Sequence, residues 1–293
     1  MQVFGLDRNR DTSGQSRPGY RAGQMITFQD MEHEGWVERA GRYRDLFGTI
    51  TSQAIEPLLE ALGNLDQADF LDIACGTGEL AGTAARRGAR AQGVDFAAAM
   101  VSQAAERYPY AAFRVGDAQD LPFADGAFDA AACAFGIPHF ADPERALREA
   151  RRVLRKGGRF AMTTWSGPRH GGELFAFVDD IIAEHGTPDD SLPVPPPMFR
   201  FGDADECRRC LAAAGFDVTD VRMIDLVWSS FSARSIPEMI DWSLVWTSRV
   251  LRSQQPEVRD RIARAMDAAG EARRQGGKIA FRFPALLVAA TAR

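Results

Sequence analysis

Short apolar runs alternate with segments of helical periodicity between residues 65 and 165. The runs lie at 70–74, 91–94, 112–115, 128–133 and 159–165. Short, largely apolar runs are typical of strands that are buried on both faces of a parallel sheet. Their alternation with helices predicts a doubly wound α/β domain with right-handed crossovers. Two later runs, 218–227 and 279–290, predict a sixth and a last strand.

The pattern changes outside this region and suggests a division of the chain. Residues 1–24 are polar and arginine-rich without periodicity, which predicts a disordered arm. Residues 25–64 carry helical apolar spacing and are interpreted as a helical cover over the mouth of a site. We expect 65–293 to form the core, with helical lid insertions at 166–200 and 230–276.

Candidate chemistry is concentrated where the predicted strands end. Asp72 lies inside the first strand, and the turn Gly76-Thr77-Gly78 follows it. Small residues there allow the backbone to approach a ligand closely. The next three strand ends supply further candidates, which are Asp95, Asp117 and Phe135. Because the carboxyl ends of parallel strands meet at one edge of the sheet, we expect these groups to lie together.

Two cofactors are compatible with a glycine turn of this kind. The stretch from Gly76 to Ala81 satisfies the loose dinucleotide fingerprint G-x-G-x-x-A. Yet a buried carboxylate such as Asp72 is costly unless it is paired, which favours a cationic ligand group. S-Adenosylmethionine carries a sulfonium, an amino group, a ribose and an adenine, and no pyrophosphate. The acid-rich edge therefore favours S-adenosylmethionine over NAD.

Several blocks of sequence together resemble the class I S-adenosylmethionine-dependent methyltransferases, most closely the ubiquinone/menaquinone C-methyltransferase-like branch (methyltransferase type 11). The blocks are 71–78, 93–95, 116–123, 128–129 and 154–159. The resemblance implies a Rossmann-like sheet of seven strands, mostly parallel, whose last strand runs antiparallel beside the fifth and sixth. It implies S-adenosylmethionine as the cofactor.

The resemblance also implies roles for individual residues. Asp72, Gly76, Thr77 and Gly78 would line the methionine part of the cofactor. Asp95 would bind the ribose hydroxyls, Phe96 would lie beside the adenine, Asp117 and Ala118 would contact the adenine, and Ala134 and Phe135 would lie near the sulfonium. Tyr43 resembles the tyrosine of a stretch that closes over the cofactor, although Arg44 replaces the usual acid there.

His139 is the candidate catalytic base. It follows the fourth strand, beside the expected methyl position, and histidine changes protonation near neutral pH. Its structural alternative is a loop histidine that packs or binds backbone. Cys207 and Cys210 fall on one apolar helix face with Leu211 and Ala214, so a buried core face is favoured over a metal site. No metal is predicted.

Composition narrows the partners. The 293-residue chain has a net charge of -5, which argues against an electrostatic footprint for nucleic acid. No apolar stretch approaches the roughly 18 residues of a membrane span, and no secretory signal is evident. Four cysteines without a spaced framework suit a reducing compartment, so a cytoplasmic location is expected. An oligomer is possible but nothing in the sequence indicates one.

The aromatic residues near 228–246, among them Trp242 and Trp246, have two interpretations: each can simply pack the lid onto the sheet, or together they can form an apolar pocket for an aromatic or prenylated acceptor. The predicted function is methyl transfer to a small molecule of quinone or secondary-metabolite type. RNA or protein methylation, and a protein that binds S-adenosylmethionine without catalysis, remain alternatives. The sequence does not identify the acceptor or the methylated atom.

Overall fold

The computed structural model describes residues 26–187 and 195–293, in which seven strands form one sheet. The strands are β1 (Asp69–Ile73), β2 (Arg90–Asp95), β3 (Ala112–Val115), β4 (Phe128–Ala134), β5 (Leu154–Trp165), β6 (Phe216–Ser230) and β7 (Ile279–Ala292). Their order is β3-β2-β1-β4-β5-β7-β6. Strands β1 to β5 pair in parallel, and β7 runs antiparallel between β5 and β6. The predicted fold class is confirmed, while the predicted arm 1–24 lies outside the described residues.

Helices pack around this sheet. They are α1 (Phe28–Tyr43), α2 (Gly48–Thr51), α3 (Ile55–Leu62), α4 (Glu79–Arg86), α5 (Ala98–Arg107), α6 (Pro143–Val153), α7 (Glu173–His185), α8 (Ala204–Ala213), α9 (Ser235–Ser243), α10 (Val245–Ser253) and α11 (Pro256–Ala272). None of the helices in the described ranges is both long and apolar enough to cross a membrane.

Strand β1 is buried because helices cover both faces of the sheet. Phe70 belongs to an apolar cluster with Leu59 of α3 and Leu80 of α4. Leu71 belongs to the opposite cluster, with Leu147 of α6. Successive side chains of a strand point to opposite faces, so a continuous apolar run suits this position. Each fully buried Leu or Phe contributes about 1.5–3 kcal/mol.

Two helices that return the chain to the sheet begin at sequence-encoded caps. The Asp142 carboxylate accepts a hydrogen bond from the Arg145 N–H at 2.8 Å, and Pro143 occupies the first helical position of α6. At the start of α8, the Asp203 carboxylate accepts hydrogen bonds from the N–H groups of Asp205 and Glu206, at 2.8 and 2.9 Å. Cys207 and Cys210 of α8 are buried in the sheet-facing cluster, as the apolar helix face predicted.

Helices α7, α9 and α11 form a third apolar cluster over one end of the sheet. Phe175 of α7, Met239 of α9 and Met266 of α11 pack there with Phe281 and Phe283 of β7. Trp165, the last residue of β5, belongs to the same cluster. The structure thus places helical segments on the end of the sheet where the strands stop, and the division into cover, core and lid stays a prediction.

Candidate functional site

The loop after β1 has a backbone that glycine makes possible. Ala74, Gly76 and Gly78 all have positive φ, at 57°, 51° and 86°. A Cβ atom on Gly78 would lie 2.8 Å from the Cβ of Ala104 in α5, whereas a Cβ on Gly76 would meet no atom within 4 Å. Gly78 is therefore required for packing beneath the loop, and Gly76 faces open space.

The carboxylate of Asp72 is buried with one oxygen unused. Its Oδ2 accepts a hydrogen bond from the Ala81 N–H of α4 at 3.0 Å. Its Oδ1 is buried and has no hydrogen-bond partner among the described residues. Burial, at 1% exposure, raises the pKa of Asp72 well above its usual value. An unsatisfied buried acceptor is costly, so this oxygen is a ready site for a ligand donor or cation.

Asp95, at the end of β2, holds the glycine loop in place. Its Oδ2 accepts from the Gly76 N–H and its Oδ1 accepts from the Ala97 N–H, both at 2.9 Å. Burial raises the pKa of Asp95 above its usual value. Each carboxylate oxygen has a second lone pair, so Asp95 can still accept hydrogen bonds from ligand hydroxyl groups.

Helix α1 lies across the loops that follow β2 and β3. The Gln29 side chain donates to Asp117 Oδ2 at 2.9 Å, and the Gln119 N–H donates to Asp117 Oδ1 at 2.8 Å. The ring of His33 packs edge-on against Phe96, with centroids 5.3 Å apart. Helix α1 therefore contacts the loops after β2 and β3 through Gln29 and His33.

His139 lies in the short turn after β4 and contacts Glu32 and Trp36 of α1. Its Nδ1 is 2.8 Å from Oε2 of Glu32, and the Trp36 indole N–H donates to the same oxygen at 3.0 Å. Glu32 is only 2% exposed. Sequence reasoning missed Glu32, because a glutamate 107 residues away from the histidine leaves no local signal.

One cavity of about 430 Å³ joins these groups. The predicted site residues that line it are Tyr43, Asp72, Gly76, Thr77, Asp95, Phe96, Asp117, Ala118, Ala134, Phe135 and His139. Gly78 is absent from the lining and lies beneath it. The walls at the strand ends are acidic, because Asp72, Asp95 and Asp117 converge there.

A second part of the cavity lining, which we call its aromatic end, is formed by Phe47, Trp165, Phe175 and Phe199, whose rings contact one another in sequence with centroids 5.0–5.9 Å apart. Trp246 of α10 also belongs to the lining. Phe135 has a positive φ of 60° and stacks on Trp165 with centroids 3.9 Å apart, so the loop after β4 connects the two ends.

The remaining candidates from the lid lie away from this lining. Trp242 lies outside it, beneath the Arg42 guanidinium at 4.9 Å. Trp228 is buried in the cluster of α7, α9 and α11. The structure thus separates Trp246 from Trp242, which the sequence treated alike.

Comparison with known proteins agrees with this arrangement. A family model described as a methyltransferase domain matches residues 71–162. A demethylmenaquinone methyltransferase from Thermus thermophilus is 36% identical over 165 residues, which cover 51% of this chain and 74% of that protein. One from Beutenbergia cavernae is 36% identical over 139 residues, which cover 46% of this chain but only 58% of that protein. The chain belongs to the class I methyltransferases, and within them to the branch that carries this domain.

The fold is shared with solved structures of low sequence identity. The YcgJ protein from Bacillus subtilis superimposes with a TM-score of 0.55 at 22% identity, covering 82% of this chain and 98% of that one. At that identity the likeness describes the fold alone. The chain spans less than two thirds of the length of the Beutenbergia cavernae relative. The residues matched by the family model, 71–162, extend from β1 into β5.

Proposed function

We propose that this protein transfers a methyl group from S-adenosylmethionine to an apolar, aromatic small molecule, with quinone-type compounds as the first class to test. The observation that carries the proposal is a single cavity with two chemically different ends. One end gathers three strand-end carboxylates, and the other is walled by aromatic rings. A volume of about 430 Å³ is within the range of small-molecule sites.

The residues at the acidic end fit the proposed cofactor. The unpartnered Oδ1 of Asp72 can accept the cationic amino group, and the free lone pairs of Asp95 can accept the ribose hydroxyls. Open space at Gly76 allows close approach of the ligand to the backbone. Bound there, S-adenosylmethionine would supply an electrophilic methyl group on its sulfonium for transfer to the acceptor.

The aromatic end supports a small, apolar acceptor over a nucleic acid. Two arginines of the basic run at 148–156 are already engaged, since Arg152 pairs with Glu149 and Arg155 pairs with Asp69. The names of the demethylmenaquinone methyltransferase relatives point to the same class of acceptor.

The described cysteines are free and buried, which supports a cytoplasmic location.

Calorimetric titration with S-adenosylmethionine, S-adenosylhomocysteine and NAD tests the cofactor. We expect the first two to bind and NAD not to bind. Asp95→Ala should abolish binding, and Asp125→Ala is the matched control because Asp125 is exposed and outside the cavity. Binding of NAD alone would overturn the proposal. If binding is found, transfer of a labelled methyl group to a panel of phenols and hydroquinones tests the acceptor.

A further inference from the structure

His139 and Glu32 form a pair that positions a proton. The carboxylate of Glu32 is buried, with its side chain 3% exposed, and lies 2.8 Å from Nδ1 of His139. The Trp36 indole N–H donates to the same carboxylate and fixes it in place. An ionised carboxylate is only an acceptor, so the neutral imidazole must present Nδ1–H to it.

This arrangement determines the protonation of the other ring nitrogen, Nε2. With the proton held on Nδ1, Nε2 carries a lone pair and can act as a hydrogen-bond acceptor. No described residue forms a hydrogen bond with Nε2, and the histidine side chain is 21% exposed and lines the cavity. Nε2 therefore has no partner among the described residues and belongs to a ring that lines the cavity, so it is available as a base.

His139 lies close in sequence to a residue that contacts the aromatic end of the cavity. His139 follows Phe135 in the same turn after β4, and Phe135 stacks on Trp165 of the aromatic wall. The base therefore lines the same cavity as the strand-end carboxylates and the aromatic rings, where we expect the acceptor and the methyl donor to bind.

We propose that Glu32 is a positioning residue that holds His139 in the Nδ1–H form, so that Nε2 takes a proton from an aromatic hydroxyl group of the acceptor. This rests on the proposed function and narrows its acceptor to phenols and hydroquinones. The acceptor O–H bond breaks, its electron pair stays on oxygen, and its proton passes to Nε2. The resulting imidazolium is stabilised by the buried Glu32 carboxylate and returns its proton to solvent when the product leaves.

Nitrogen-15 NMR of the histidines tests the tautomer in the protein without ligands. With His139→Gln used to assign the signals, wild-type His139 should show a protonated Nδ1 and a bare Nε2 once the ring is neutral. Glu32→Gln keeps the shape but presents an amide that can donate to Nδ1, so the Nε2–H form should become populated. Glu34→Gln is the matched control, because Glu34 lies on the same helix and pairs with Arg249 instead.

Turnover with the phenol and hydroquinone panel gives the second readout. We expect Glu32→Gln to lower kcat about 10–100-fold without weakening S-adenosylmethionine binding, and Glu32→Asp to recover part of the loss. A wild-type Nε2–H tautomer, or a Glu32→Gln protein with unchanged spectrum and unchanged kcat, would overturn the inference. A protein that shows the Nδ1–H form but binds no S-adenosylmethionine would instead break only the proposed function.

Discussion

The two ends of the cavity differ in how the chain builds them. The acidic end comes from consecutive strand-end loops between Asp72 and His139, and hydrogen bonds such as Asp95 to Gly76 fasten one loop to the next. The aromatic end is assembled from distant segments, from Phe47 in the N-terminal region to Trp246 in α10. Hydrogen bonds between consecutive loops fix the positions of the side chains at the acidic end. The aromatic side chains come from separate segments, so their positions depend on how those segments pack. We therefore expect the first end to tolerate substitution much less than the second.

The largest effect on stability should come from Gly78→Ala. The new Cβ would lie 2.8 Å from the Cβ of Ala104, and residue 78 has a φ of 86°. A steric clash and backbone strain would therefore both destabilise the variant. We expect a loss of about 2–4 kcal/mol in the free energy of unfolding and at least tenfold weaker S-adenosylmethionine binding. Gly157→Ala is the control, since Gly157 has φ of 77° but no neighbour within 4 Å, and it should cost only about 1 kcal/mol. Equal losses in urea denaturation would contradict the steric account.

Asp72→Asn should separate binding from stability. The amide oxygen can still accept from Ala81, while the unfavourable buried charge disappears. We expect S-adenosylmethionine affinity to fall about 10–100-fold, and the free energy of unfolding of the ligand-free protein to rise on the order of 1 kcal/mol.

Asp129→Asn is the matched comparison, in which stability should fall and affinity should not change. Hydrogen bonds from the Asp69 N–H and Arg155 hold the pKa of Asp129 below its usual value, so the variant should lose stability and keep its affinity. A less stable Asp72→Asn protein would refute the assignment of a strained carboxylate.

The pH dependence of binding should follow the same carboxylate. Burial raises the pKa of Asp72, so the group gains a proton as the pH falls through that raised value and its attraction for a cation is lost. S-Adenosylmethionine affinity should therefore fall as the pH is lowered through that raised pKa, and less steeply in Asp72→Asn. The sign for stability is reversed: with a folded-state pKa above the unfolded one, the ligand-free protein loses stability as the pH rises. Calorimetry across pH gives the dependence of affinity on pH, and thermal unfolding across pH gives that of stability. If the wild type and Asp72→Asn show the same dependence on pH, Asp72 is not its source.

The smallest effects should come from the aromatic end. Trp246→Ala removes one ring from the cavity wall and should raise the KM of a hydroquinone or phenol acceptor several-fold, corresponding to about 1 kcal/mol. Trp242→Ala is the matched control, because that ring lies against Arg42 outside the lining and should leave KM unchanged. S-Adenosylmethionine affinity should be unchanged in both. Similar KM values for the two variants would show that Trp246 does not contact the acceptor.

The acidic end was predictable because its signals are local. A buried strand followed by a glycine turn, and an acid at the tip of the next strand, can be read within about 25 residues of Asp72. The helix cap at Asp142 and the buried face of Cys207 and Cys210 were also predictable, since both depend on neighbours within one or two turns. In each case the geometry of a strand or helix fixes the contact.

By itself the sequence determined the order of strands and helices, the sheet edge at which the carboxylates meet, and the requirement for glycine at Gly78. Only the tertiary structure decided which side chain faces Nδ1 of His139, and which of two tryptophans four residues apart reaches the cavity. The physical reason is the range of the interactions. Backbone geometry acts between neighbours, whereas the positions of α1 and α10 depend on packing between helices that are more than 200 residues apart.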